Sequence, residues 1–212
     1  MRAGEVYVDI GANVGSHAIC VAKHLGRSGK VYAFEPHPLT FQRLQANIRL
    51  NQLSNIEAHN VALGDAEGEI GFSDLMHDDR NRVICVEQSP GIRVPIRRLD
   101  SYAFAHLPIT ILKIDTEGYE LHVLRGGEQA LRHSAMIWVE ASDKNLGQFD
   151  HTADMLANFL LERGWSLFRW VGPEDLETVH PPVKVDKTQN WIGVRSVEWL
   201  IERVPMRIRE TR

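Results

Sequence analysis

The sequence is poor in cysteine, in long apolar runs and in excess charge, and each shortage removes a class of protein. Cys20 and Cys85 are the only cysteines among 212 residues. Neither belongs to a CxxC pair or to a His/Cys cluster with zinc spacing, which argues against a disulfide framework or a zinc ribbon. Cys20 falls inside an apolar helical pattern and is expected to be a small buried hydrophobe. No apolar run approaches the ~18 residues of a membrane-spanning helix. The opening MRAGEVYVDIG lacks a basic leader and a small-residue cleavage site, so a cytoplasmic, reduced protein is expected. Lysine and arginine number 24 against 28 acids, a net charge of −4. Nucleic-acid binders usually carry a basic surface, so a large polyanionic partner is disfavoured. Apolar residues at 43% and charged residues at 25% are ordinary for a globular chain, and a single domain over 1–212 is expected.

Short β-rich runs alternate with longer amphipathic ones. Val6 to Ile10 reads as a strand, Gly15 to Leu25 as a helix facing inward through Ile19, Cys20 and Ala22, and Val31 to Phe34 as a second strand. Pro38 to Leu50 is a helix, with proline in its first turn and Phe41, Leu44 and Ile48 at helical spacing. Asn55 to Leu63 is a third strand region. This order predicts parallel strands joined by right-handed crossovers. Three short β-like runs follow without a helix: Glu69 to Ser73, Arg82 to Glu87 and Ile92 to Arg98. They predict an antiparallel insertion over about 66–98, with a polar tip at MHDDRNR. The alternation then resumes through the apolar strand Ile109 to Ile114, a helix from Tyr119 to Leu131 interrupted at Gly126–Gly127, and a strand from Met136 to Glu140. A helix from Thr152 to Arg163 closed by Gly164 comes next. Ser166 to Val171 and Trp191 to Arg195 are the last predicted strands, separated by a long polar linker. A final helix begins near Ser196. Most of the five tryptophans are expected in the core, with Trp170 and Trp191 in these final strands.

The segment VDIGANVGSH at 8–17 carries the first chemistry. A strand ends, the chain turns through Gly11, Ala12, Asn13 and Gly15, and a helix begins. Glycines let the backbone approach a ligand, and a helix N-terminus offers free N–H groups. Asp9, at the strand end, can orient the loop or hold an ammonium group through water. Glu35 ends the second strand in YAFEP, where a carboxylate can accept both hydrogen bonds of a ribose diol, and Pro36 fixes the turn after it. A nucleoside cofactor is therefore expected. Dinucleotide enzymes prefer G-x-G-x-x-G, whose second glycine makes room for a pyrophosphate. The G-A-N-V-G loop favours S-adenosylmethionine, which has none. An NAD(P)-dependent oxidoreductase is the alternative. Asn60, Val61 and Ala62 lie where an adenine ring would pack. His17 and His37 follow cofactor-loop elements, and either suits a base near neutral pH.

LKIDTEGYE at 112–120 follows the fourth parallel strand and so lies on the same rim. Asp115 is the leading candidate to contact the cofactor or the acceptor, with Glu117 beside it. Acids are also favoured electrostatically in a first helical turn, where Glu117 and Glu120 are expected. Lys113 alternates with Ile114 and receives no role. Glu140, ending the next strand, would sit beside Asp115. The pair could bind an acceptor hydroxyl or hold a divalent metal, with Asp143 as the available third ligand. The catalytic candidates are Asp115, Glu117 and Glu140. A base-amino methyltransferase would show D/N-P-P-Y/F where DTEG stands, and Pro181–Pro182 lies in a late loop. A C5-cytosine enzyme needs a cysteine near the cofactor, and Cys20 and Cys85 are poorly placed. A nucleic-acid methyltransferase is thus a weaker alternative.

The segments VYVDIGANVGSHA, VYAFEPHPLTFQRLQANIRLN, NVALGD, RRLDSY, LKIDTEGYELHVLRGGEQAL and IWVEAS resemble the FkbM methyltransferases over residues 6 to 142. The resemblance implies a Rossmann-like class I fold, with a seven-stranded, mostly parallel sheet, helices on both faces and an antiparallel last strand. It also implies S-adenosylmethionine as cofactor, S-adenosylhomocysteine as product, and O-methylation of a small molecule or sugar. Carried over by position, Asp9, Gly11, Asn13, Gly15 and Glu35 would bind cofactor, with Asp115 and Glu117 near the reaction centre. Little chain precedes the first strand, where many such proteins carry a helical segment. A partner subunit, a homo-oligomer or the loops at 74–82 and 172–190 are the candidates to close the site.

Overall fold

A computed structural model describes residues 1–75, 81–84 and 91–209. The central sheet contains β1 (Val6–Ile10), β2 (Lys30–Phe34), β3 (Ile56–His59), β7 (Ile109–Ile114), β8 (Ser134–Ala141), β9 (Ser166–Gly172), β10 (Asp175–Thr178), β11 (Gln189–Val194) and β12 (Arg207–Arg209). Its order is β12-β10-β9-β11-β8-β7-β1-β2-β3. Strands β1, β2, β3, β7 and β8 pair in parallel, and β11 runs antiparallel between β8 and β9. The sheet therefore has nine strands where seven were expected. The extra two, β10 and β12, extend the edge beyond β9. The first lies in the linker that reads as loop, and the second is three residues long, too short to show a period.

Helices cover both faces. On one side α1 (Ser16–Leu25) and α2 (Pro38–Leu50) bury Ala18, Ala22, Leu25 and Leu44 against Tyr7, Val31 and Ala33. Further along that side α7 (Val197–Ile201) packs Leu200 near Met136 and Ile192. On the other side α3 (Glu120–Arg125), α4 (Glu128–His133), the short α5 (Asp143–Leu146) and α6 (Ala153–Leu161) close over Val8, Ile10, Leu112 and Ile114. Thr152 and Ser196 cap α6 and α7 by accepting from Met155 N and Trp199 N, each at 3.1 Å. Within α1 the buried stripe runs through Ala18, Ala22 and Leu25, at intervals of four and three. That phase leaves Cys20 exposed, against expectation. Cys85 lies outside the described residues.

The insertion is a small sheet of order β4-β6-β5, from β4 (Ala62–Leu63), β5 (Gly68–Ser73) and β6 (Gly91–Arg97). β5 and β6 are antiparallel as expected, but β4 joins β6 in parallel, so the sheet begins within the predicted third strand. Of the predicted run from Arg82 to Glu87, residues 82–84 are described, and Val83 bridges Phe72. Gly126, where α3 ends, packs directly on the Gly64 carbonyl, which leaves no room for a Cβ there. Asp100, from RRLDSY, accepts from Gln129 N and Ala130 N and restarts the helix as α4. Among the described residues no helix is long and apolar enough to cross a membrane.

Candidate active site

Parallel pairing brings the carboxyl ends of β1, β2, β7 and β8 to one rim. Between β1 and α1 the chain turns through Gly11, whose φ is +76°. A Cβ at Gly11 would lie 1.8 Å from the Asp115 carbonyl oxygen, so the close approach of the two loops requires glycine. Gly15 caps α1 in a left-handed conformation, and Asn13 is also left-handed at φ +50°. The loop's backbone donors are already used. Gly11 N and Ala12 N donate to the Phe34 carbonyl at 3.1 and 2.9 Å, and Gly15 N to Ala12 O at 2.9 Å. Asn13 N donates to Glu35 Oε2 at 2.9 Å, and Val14 N to Asn13 Oδ1 at 2.6 Å. The N–H groups of the turn itself are thus absorbed by β2 and by the turn, while those of the first turn of α1 have no capping side chain.

Glu35 is buried at the end of β2, with one oxygen held by Asn13 N and the other by His37 N, both at 2.9 Å. Burial pushes its carboxyl up to about 7, against the pull of the two donors. Asn60 donates from Nδ2 to the carbonyls of Glu35 and Pro36, which fixes the turn beyond. A cleft of about 410 Å³, counting its open mouth, lies beside Glu35. Of the residues picked out by the sequence, Gly11, Pro36, Val61, Ala62 and Asp115 line it with Glu35. Phe34, Leu63, Phe72 and Tyr119 add apolar walls and were not picked out by the sequence. Ala12, Asn13, Gly15 and Asn60 do not line it. His37 is buried, with Nε2 3.1 Å from Asp74 Oδ1. His17 is exposed on the first turn of α1, its ring 5.7 Å from that of Trp138, and does not line the cleft.

Across the rim, Asp115, Glu117 and Glu140 bring one carboxylate oxygen each within 4.8 Å of the others. Glu117 is not in a helical turn as expected. The helix starts at Glu120, and Glu117 sits in the preceding loop at φ +55°. Asn145 donates to Glu117 Oε2 at 2.9 Å and reaches Glu140 Oε2 at 3.4 Å, tying the two acids together. Burial first, then Asp115, Glu117 and Glu120, push the Glu140 carboxyl up to about 8. Asp143 is not the third member. Its oxygens accept from Ala153 N and Val185 N at 2.7 and 2.6 Å. Glu120 is a staple within the loop, accepting from Thr116 N and Gly118 N at 3.0 and 3.1 Å.

Asp9 is fully buried beneath the turn rather than open to the cleft. Its partner is Lys113, 3% exposed, whose Nζ lies 3.2 Å from Asp9 Oδ1 and 3.2 Å from Asp115 Oδ2. Burial pulls the lysine down, but the two carboxylates outweigh it and hold it above the ordinary lysine range. The sequence signal for Lys113 was its parity: residues 113 and 115 share a strand face, and 114 does not.

The family profile described as Methyltransferase FkbM domain matches residues 9–167. A methyltransferase of Beauveria bassiana, Methyltransferase 1, is 30% identical over 143 residues, which are 56% of this chain and 57% of that protein. The hexuronic acid methyltransferase AglP of Haloferax volcanii is 32% identical over 140 residues, 64% of this chain and 55% of its own length. The chain thus spans little more than half the length of these two. The 2-O-methyltransferase NoeI of Sinorhizobium fredii is 30% identical over 179 residues, 74% of this chain and 72% of that protein. In fold, an FkbM methyltransferase from Methylobacillus flagellatus superposes with a TM-score of 0.61 at 19% identity, over 91% of this chain and 44% of that one. An rRNA methylase from Streptococcus thermophilus gives 0.52 at 12% identity, over 92% and 89%, so the fold alone does not separate acceptors. Sequence and fold agree, and the chain belongs to the FkbM methyltransferase family.

Proposed function

We propose that the chain is an S-adenosylmethionine-dependent methyltransferase acting on a hydroxyl of a sugar or other small molecule. The observation that carries the choice of cofactor is the committed state of the glycine turn. The N–H groups of residues 11 to 15 all have protein acceptors, so within the turn itself no donors are left for a pyrophosphate, and only the first turn of α1 could supply them. What remains is a close backbone approach beside a buried carboxylate. That suits a nucleoside with a ribose diol and no phosphate, and disfavours the NAD(P) reading.

When bound, the cofactor supplies an electrophilic methyl on a sulfonium. Glu35 accepts the ribose hydroxyls, and Phe34, Val61, Ala62 and Leu63 enclose the adenine. Gly11 and Gly15 let the chain pass close, and Asp115, steadied by Lys113, faces the reaction centre. Asp9 acts from beneath through Lys113. A carboxylate at the rim would take the proton that the acceptor hydroxyl gives up. Glu140 is the best-suited base, because burial among other acids raises its proton affinity. Asp115 and Glu117 orient the hydroxyl. A cytoplasmic location belongs to the same reading. The name of AglP supports a sugar acceptor, and that of NoeI supports transfer to oxygen.

Calorimetric titration with S-adenosylhomocysteine and with NAD tests the cofactor. The first should bind and the second should not; tight NAD binding without S-adenosylhomocysteine binding overturns the proposal. Asp115→Ala should lose methyl transfer while keeping its melting transition, and unchanged turnover removes Asp115 from the mechanism.

A further inference from the structure

A second concavity lies on the same rim, beyond the acids. Register fixes its position. Asp9 pairs with Lys113, Lys113 with Trp138, and Trp138 with Ile192, so these side chains form one row on the α1 side of the sheet. The next row toward the rim runs from Asp115 through Glu140, which pairs with Asn190. Trp191 pairs with Arg169, which brings Trp170 level with Asn190. Alternation then puts Trp138, Glu140, Asn190 and Trp170 on one face.

An open basin of about 710 Å³, counting its open side, is lined by Trp138, Trp170, Thr188, Gln189 and Asn190. The indole rings of Trp138 and Trp170 lie 5.7 Å apart at 49°, and His17 flanks Trp138 from α1. Trp170 lies in β9 as expected of a final strand, but it is 42% exposed, unlike the buried tryptophans expected for most of the five. The indole Nε1 of Trp138 is buried without an acceptor among the described residues, and the exposed Asn190 amide makes no side-chain hydrogen bond among them. The basin thus combines two aromatic rings with the uncommitted Asn190 amide, and Asn190 pairs with Glu140 across β11 and β8.

We propose that this basin is the acceptor site, and that it takes a neutral saccharide ring stacked on Trp170 and Trp138. The inference rests on the methyltransferase reading above and names the substrate class. A pyranose presents axial C–H bonds on its face and hydroxyls on its edge. The faces of aromatic rings are electron-rich and attract the C–H side, while amides bind the edge. A ring seated there points an edge hydroxyl along the row toward Glu140 and Asp115. Three carboxylates at the inner end oppose an anionic sugar, so a neutral ring fits better than a uronic acid.

The test uses the full chain saturated with S-adenosylhomocysteine, titrated calorimetrically with glucose, galactose, mannose, fucose, cellobiose and glucuronic acid. At least one neutral sugar should bind, and more tightly than glucuronic acid. Trp170→Ala should weaken that binding by about tenfold or more, and Trp170→Phe should restore most of it. S-adenosylhomocysteine affinity should stay unchanged in both variants. With the same sugar and S-adenosylmethionine, Trp170→Ala should raise the acceptor KM far more than it lowers kcat. The proposal is overturned if no neutral sugar binds, if Trp170→Ala binds as the parent does, or if glucuronic acid binds best. It is also overturned if sedimentation shows this face buried in a dimer that Trp170→Ala dissociates. Failure to bind S-adenosylhomocysteine would instead strike the methyltransferase reading.

Discussion

Lys113 offers the sharpest test of how the site is built. It lies at the centre of the sheet, on a strand flanked by β1 and β8, with its ammonium 3.2 Å from two carboxylates. Lys113→Met keeps the length and apolar body of the side chain and removes the charge. Asp115 can turn to solvent, since its side chain is 36% exposed, but Asp9 at 0% cannot. Removing one partner of a buried pair costs about 3–5 kcal/mol, because the remaining charge is stranded. At about 2–4 °C per kcal/mol for a chain of this size, the melting temperature should fall by about 6–20 °C. The pH dependence follows from Asp9. Burial raises its carboxyl above the ordinary range, and Lys113 pulls it back. A carboxyl whose folded pKa lies above its unfolded one favours the folded state at low pH, and that contribution is lost as pH rises through the folded pKa. Without Lys113 the folded pKa rises further. The variant's deficit should therefore be large at about pH 8 and shrink toward about pH 5. Asp9→Asn combined with Lys113→Met should recover much of the loss, because a neutral amide replaces the stranded charge. Urea melts of the parent, both single variants and the double variant measure the coupling. An additive double variant, or a Lys113→Met deficit that grows toward acid, would refute the account.

Gly11→Ala should abolish S-adenosylhomocysteine binding in calorimetry and lower stability by about 1–3 kcal/mol, through its positive φ and the Cβ placed against Asp115. Burial pushes the Glu35 carboxyl up to about 7. If its carboxylate is the acceptor for a ribose diol, S-adenosylhomocysteine affinity should climb with pH through that value and level off above it. Glu35→Gln should bind weakly at every pH, and a pH-independent parent affinity would remove Glu35 from the ribose site. With Glu140 as base and its carboxyl at about 8, kcat should rise with pH to a plateau beyond that value. Glu140→Gln should flatten the profile as well as lower it, and a variant that keeps the inflection would assign it to another group.

Local patterns foretold the parts of the fold that depend on neighbours in sequence. The strand–turn–helix at 8–17, Glu35 at the end of β2 and the paired rim acids all follow from period and punctuation. The mistakes lie where a local pattern is ambiguous by a residue or two. Cys20 and Ala18 differ by half a turn of helix, and only packing against Tyr7 and Val31 selects the phase. Lys113 was rightly set on the opposite face from Ile114 but given no role, although a strand's period of two makes Asp115 its companion. The bonds within the glycine turn were not legible either, because Gly11, Ala12 and Asn13 fold back on the Phe34 carbonyl and on Glu35, which lie over twenty residues away in sequence.

The aromatic basin is the feature furthest from any local signal. Trp138 and Trp170 are 32 residues apart in sequence and lie on strands that do not pair directly. They meet because β11 enters antiparallel between β8 and β9, which places its first residues at the rim where β8 and β9 end. The same crossover carries Asn190 to the side of Glu140. A sheet that inserts its last long strand in this way joins two halves at one rim. The half from β1 to β7 holds the glycine turn and Asp115, and the half from β8 to β9 presents the tryptophans. Asp115 and Glu140 stand at the seam, on the adjacent strands β7 and β8, where a methyl group delivered from one half would meet an oxygen held by the other.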